Sequence, residues 1–168
     1  MTNPVVITRP LAQAGLLAQR VAAIGRDAVM FPLLEIHPLS NPTELHAALH
    51  DLTAYAMVAF VSPNAIDAAF SVVSGWPSDI VFAIMGEGSR TALAHHGVTS
   101  ANAHIVGPRD VQRTDSQTLI EALDLGAWKG KRVLIIRGET GREFLADRLR
   151  DAGVQVREFT TSKLSLDD

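Results

Sequence analysis

A strand, a turn and a capped helix succeed one another along this chain, and that alternation leaves few folds open. Met57 to Val61 is an unbroken apolar run of buried-strand length. Ser62-Pro63-Asn64 then joins a capping hydroxyl to a proline suited to a first helical turn, and Ala65 to Val73 follows. The pattern returns at Ile80 to Met85, Gly86-Glu87-Gly88-Ser89 and Arg90 to His96, with a stop at Gly97. It returns again at His104 to Val106 with Ser116 to Leu125, and at Arg132 to Ile136 with Gly141 to Ala152, before Val154 to Phe159. Runs that are apolar at every position belong to strands covered on both faces. The expected fold class is α/β, with parallel sheets flanked by helices whose ligands bind beyond the strands' carboxyl ends.

The amino-terminal segment starts a similar series. Val5 to Thr8 reads as a short strand, Leu11 to Ile24 as a helix stopped by Gly25, and Ala28 to Phe31 as extended chain. Pro32 and Pro38 bracket Leu33 to His37, too many prolines for a helix or a central strand, so the segment reads as an extended connector. Asn41-Pro42-Thr43-Glu44 combines a cap, a first-turn proline and an acid that reaches back to the cap amide, and starts a helix running to about Leu52. Thr160 to Asp168 is polar and without period, and reads as an irregular tail.

Composition narrows the chemistry. Aromatic residues make up only 5% of the 168 residues and apolar residues 47%, so the core is built of Ala, Val, Leu and Ile. A net charge of -3 gives no electrostatic footing for nucleic acid. The absence of cysteine excludes disulfides, thiolate catalysis and cysteine-bound metal. No apolar stretch approaches the roughly 20 residues that span a bilayer, and the start of the chain lacks the regions of a signal peptide, so no membrane partner is expected and the cytoplasm is the expected location.

The strand ends carry the candidate chemistry. Ser62-Pro63-Asn64, Gly86-Glu87-Gly88-Ser89 and Arg137-Gly138-Glu139-Thr140-Gly141-Arg142 should share one edge of the sheet, presenting amides and helix amino termini to an anion. Capping and turn formation explain any one of them alone. Together they point to a cleft for an anionic ligand. Arg9 and Arg137 directly follow strands, where a guanidinium can clasp a carboxylate; the alternative for each is an ordinary structural ion pair. No Walker loop, dinucleotide fingerprint or nucleophile elbow is present. His46 and His50 have the spacing of paired metal ligands but no obvious third, and read as a solvated helix face. His95-His96 reads as a complement to a helix dipole.

These pieces, in this order and spacing, resemble the uroporphyrinogen-III synthases of tetrapyrrole biosynthesis. The matching segments are Val6-Ile7-Thr8-Arg9-Pro10, Pro32-Leu33-Leu34-Glu35-Ile36, Phe60 to Ala65, Met85 to Ala92 and Val133 to Arg142. The similarity runs from about Val5 to Val156. The resemblance implies two flavodoxin-like domains joined by a two-stranded linker, the second inserted into the first, with a cleft between them. On that template residues 1–32 begin an incomplete α/β domain, 33–40 are linker, 41–159 form the complete inserted domain and 160–168 are the tail. The family's template calls for on the order of another 80 residues to finish the first domain's sheet, and the apolar surface left on that part favours self-association.

The resemblance further implies the reaction: hydroxymethylbilane is cyclised with loss of water and inversion of its last pyrrole ring, without metal or organic cofactor. Its polycarboxylate linear tetrapyrrole would be held by Thr8, Arg9, Ser62, Asn64, Gly86, Gly88, Ser89, Arg137, Gly138, Gly141 and Arg142. No general acid is assigned. Where family members carry a Tyr after the last strand of the inserted domain, this chain has Phe159-Thr160-Thr161-Ser162-Lys163, with Ser162 near that place. The alternative is a non-catalytic α/β fragment that binds anions or a partner.

Overall fold

The structure is a computed structural model that describes residues 3–38, 43–110, 112–138 and 143–166. The chain divides into a smaller unit, Met1–Pro38 with Lys163–Asp168, and a larger one, Leu39–Ser162.

In the smaller unit β1 (Val5–Ile7) pairs in parallel with β2 (Ala28–Met30), Val5 opposite Ala28 and Ile7 opposite Met30. Between them α1 (Leu11–Ala23) ends at Gly25, whose φ of 74° lies in the left-handed region that glycine tolerates best. The helix lays Ala14 and Val21 against Ile7, a small core. Most of the other large apolar side chains of this unit face solvent, Val6, Leu11, Leu16, Ile24, Val29 and Phe31 among them. The proline-bracketed segment is β3 (Leu34–Pro38), which stands at the end of the strand order β3-β8-β7-β4-β5-β6. An edge is where a proline-ended strand is tolerated, because no partner waits for the missing amide.

The larger unit carries the regular α/β pattern. Its strands are β4 (Met57–Phe60), β5 (Val81–Ile84), β6 (His104–Val106), β7 (Arg132–Gly138) and the first part of β8 (Gln155–Leu166). All neighbours among them are parallel, and Phe60 stands level with both Ile84 and Ile136. Val58, Phe60, Phe82, Ile84, Leu134 and Ile136 pack under α2 (Thr43–His50), α3 (Pro63–Phe70) and α4 (Glu87–His95). Their neighbours in sequence, Met57, Ala59, Val81, Ala83, Val133 and Ile135, pack on the opposite face under α5 (Ser116–Ala122) and α7 (Phe144–Asp151). That two-sided burial is why these runs are apolar throughout. A short helix α6 (Leu125–Trp128) precedes β7.

The predicted start of α2 at Asn41-Pro42 and the residues 139–142 before α7 lie outside the described residues. The irregular tail is corrected: β8 continues through Thr160 to Leu166. Its residues pair with β7, Arg137 opposite Thr160 and Gly138 opposite Ser162, with a register shift between the two. Thr161 turns inward and its hydroxyl donates to the Arg137 carbonyl oxygen at 3.2 Å. A polar run becomes a strand here because an open strand edge supplies its hydrogen bonds.

Candidate functional site

The larger unit's sheet has a point where its order turns. The chain steps from β4 to β5 and β6 on one side, then returns to β7 and β8 on the other. The helix after β4 covers one face and the helix after β7 the other, so their amino termini diverge and leave a crevice at the carboxyl ends of β4 and β7. In that place a depression of about 570 Å³ is lined by Val61, Thr114, Asp115, Ser116, Gln117 and Phe144.

The turns singled out in the sequence flank it on one edge. Ser62 is the extended cap of α3, and its Oγ accepts the Ala65 amide at 3.2 Å. Pro63 occupies the first turn, and Asn64 beside it is half-buried. Gly86 caps α4 without a side chain, and a Cβ added at Gly88 would sit 3.6 Å from Pro63 Cγ, so the two helix starts abut. Ser89, in the first turn of α4, is 3% exposed. Glu87 and Arg90 on the same helix pair with each other at 3.5 Å. The edge offers backbone amides, hydroxyls and helix amino termini, the donors that hold carboxylates without an added charge.

Arg137 has partners within the chain. Alternation along β7 puts its side chain opposite Ile136, on the α7 face, where Nη1 lies 3.1 Å from Glu158 Oε1 and Nε donates to the Gly138 carbonyl oxygen at 3.3 Å. Glu158 Oε2 in turn accepts from Arg150 Nη2 at 2.8 Å. The guanidinium side chain is only 11% exposed, so the pair with Glu158 is largely shielded from solvent. Gly138 lies against Ser162. Gly141 and Arg142 lie outside the described residues. Thr8 and Arg9 belong to the smaller unit, both exposed past the end of β1, with the Thr8 carbonyl oxygen accepting the Leu33 amide at 3.3 Å.

Sequence reasoning missed the segment from Arg113 to Thr118. Asp115 and Thr118 form a capping box: the Thr118 amide donates to Asp115 Oδ1 at 2.7 Å and the Asp115 amide donates to Thr118 Oγ1 at 3.3 Å. The Thr118 amide and hydroxyl, with a smaller contribution from Arg113, hold the Asp115 carboxyl below its ordinary range. The Asp-x-x-Thr spacing was the available signal. His46 and His50 sit on the exposed side of α2, and among the described residues no group of three or more His, Asp or Glu side chains is placed to hold a metal. His96, the C-cap of α4, meets Asp67 at 2.7 Å and stacks on Phe70. Among the described residues no helix is long and apolar enough to cross a membrane.

Comparison with known proteins gives this arrangement a context. The family model described as uroporphyrinogen-III synthase HemD matches residues 16–161. The uroporphyrinogen-III synthase of Escherichia coli (strain K12) is 33% identical over 157 residues, 90% of this chain and 61% of the relative. That of Proteus mirabilis is 31% identical over 158 residues, 92% of this chain and 76% of the relative. A crystal structure of a mutant uroporphyrinogen III synthase from the extremely thermophilic bacterium Thermus thermophilus superimposes with a TM-score of 0.67 at 12% identity, covering 99% of this chain and 64% of that one. At that identity the likeness supports the fold.

Proposed function

Since the chain belongs to the uroporphyrinogen-III synthase family, we propose that it takes part in closing hydroxymethylbilane to uroporphyrinogen III, with inversion of the last pyrrole ring and loss of water. The observation that carries this reading is the family match over residues 16–161. The chain spans 61% of the Escherichia coli relative's length. The site residues follow from the same reading. Ser62, Asn64, Gly86, Gly88, Ser89, Arg137 and Gly138 on the larger unit, with Gly141 and Arg142 that follow in sequence, and Thr8 and Arg9 on the smaller one, would meet the substrate's acetates and propionates. On this reading residues 41–159 are the family's inserted domain, 33–40 its linker and 1–32 the start of its other domain.

The chemistry asks for positioning above all. The terminal hydroxyl leaves as water with one proton supplied, and the azafulvenium cation that remains is attacked by the far pyrrole. For inversion the attack comes from the ring carbon already joined to the chain. The older bond from that carbon to its methylene bridge then breaks, and the cation left on the bridge is captured by the same ring's free α-carbon. That carbon gives up a proton, so the sum is loss of one water. A flexible polyanion fixed by amides and hydroxyls reaches the inverted geometry more often than it does free in solution, where direct closure gives the uninverted isomer. Incubating hydroxymethylbilane with the chain and resolving type I from type III product tests this. Type III product above the spontaneous background supports the proposal, and a spontaneous ratio at every protein concentration sinks it.

A second element concerns partners. Val6, Leu11, Leu16, Ile24, Val29 and Phe31 expose apolar surface concentrated on the smaller unit, which supports self-association of the chain through that unit.

A further inference from the structure

Gly86 is glycine for a reason that its backbone does not give. At φ 171° and ψ -167° it is extended, a conformation open to any residue. Space is what forbids a side chain: a Cβ there would collide with Thr114 Cγ2 and lie 3.1 Å from Thr114 Cβ. The threonine methyl therefore fills the volume that Gly86 leaves empty. Thr114 is itself exposed, but the chain on either side of it is tied down. The residue after it is locked into the capping box with Thr118, and the Thr118 hydroxyl also lies 2.9 Å from the Asp115 carbonyl oxygen and 3.3 Å from that of Arg113. Thr118 is itself buried. On its other side the turn after β5 meets Pro63 through Gly88, so it is held between a threonine methyl and a proline ring.

We infer that Thr114 is a positioning residue of the site: its methyl, seated on Gly86, fixes the first turn of α4, and the same residue forms part of the wall of the depression beside Val61 and Phe144. The inference rests on the proposed tetrapyrrole reading for the identity of the ligand, and on the Gly86 contact for the geometry. Its force comes from how steeply function depends on placement. A shift of about 1 Å in a group that orients a reacting molecule costs up to roughly a hundredfold. A side chain at position 86 must displace either the Thr114 methyl or the turn.

The test uses the 168-residue chain, uroporphyrin III as a fluorescent probe ligand, and the variants Gly86→Ala, Thr114→Ser and the two combined, with thermal unfolding measured alongside. Serine lacks the colliding methyl, so in the double variant only the 3.1 Å neighbour remains, and it yields within a few tenths of an ångström. Gly86→Ala should weaken binding about tenfold or more, Thr114→Ser should weaken it by less, and the double variant should recover most of the loss made by Gly86→Ala. Binding by Gly86→Ala equal to wild type, or a double variant as weak as Gly86→Ala, overturns the inference. If Gly86→Ala does not fold, Thr114→Ala carries the test. It removes the methyl without crowding, so weaker binding at a nearly unchanged unfolding midpoint supports the role, and unchanged binding overturns it. Wild-type chain that fails to bind the porphyrin refutes the functional reading itself, a result distinct from failed rescue.

Discussion

Replacing Glu158 with alanine should cost the protein more than either arginine contact alone would indicate. Glu158 joins Arg137 at 3.1 Å to Arg150 at 2.8 Å across β7, β8 and α7. Arg150 is 44% exposed, so its share is worth under about 1 kcal/mol. Arg137 is the costly partner, because its side chain is 11% exposed and would keep its charge. Stripping one partner from a fully buried pair costs about 3–5 kcal/mol. Here Glu158 is itself 23% exposed and the Gly138 carbonyl oxygen still accepts from Arg137 Nε, so about 2–3 kcal/mol is expected. Against a typical urea slope near 2 kcal/mol/M, the midpoint should fall by about 1–1.5 M. Arg150→Ala should move it by less than about 0.5 M, and Arg137→Met, which removes the buried charge together with its need for a partner, should be milder than Glu158→Ala. Equal small shifts for Glu158→Ala and Arg150→Ala would refute the assignment of the larger share to the shielded pair of Arg137 with Glu158.

Other substitutions probe separate parts of the account. Phe60→Ala removes a fully buried ring that touches Phe70, Trp76 and Phe82, and should cost about 3–5 kcal/mol in urea unfolding. Asp115→Ala should be less stable than wild type at pH 7. A carboxyl whose folded pKa is depressed stabilises above its unfolded value, so the gap should close as pH falls below about 3.8 and through the lower folded value, measured by denaturation across that range. Leu16→Lys with Val29→Lys, both at exposed positions of the smaller unit, should shift sedimentation velocity profiles toward the monomer while leaving the far-ultraviolet circular dichroism unchanged.

What could be read from the sequence follows from where its signals are local. The strands β4 and β5 and the Val133 to Ile136 stretch of β7 are apolar at every position because both faces are covered, and the caps at Ser62 and Gly86 lie where a single dipeptide marks them. The tail reads wrongly because Thr160 to Leu166 carries no apolar period; its strand depends on pairing with β7, 20 or more residues away. Arg137 is legible as a strand-end residue, yet the face it takes, and Glu158 waiting there, depend on which residue of a separate strand comes alongside. Thr114 is invisible for the same reason, since nothing near it in sequence announces that its methyl rests on Gly86.

The central claim is that a tetrapyrrole polycarboxylate meets the carboxyl ends of β4, β5 and β7. Backbone amide shifts of the chain titrated with uroporphyrin III test it most directly. The account predicts that the largest changes fall at Ser62, Gly86 to Ser89, Thr114 to Gln117 and Gly138. Changes centred on the opposite edge, in the depression lined by Phe70, Trp76, His96 and Asn102, would contradict it.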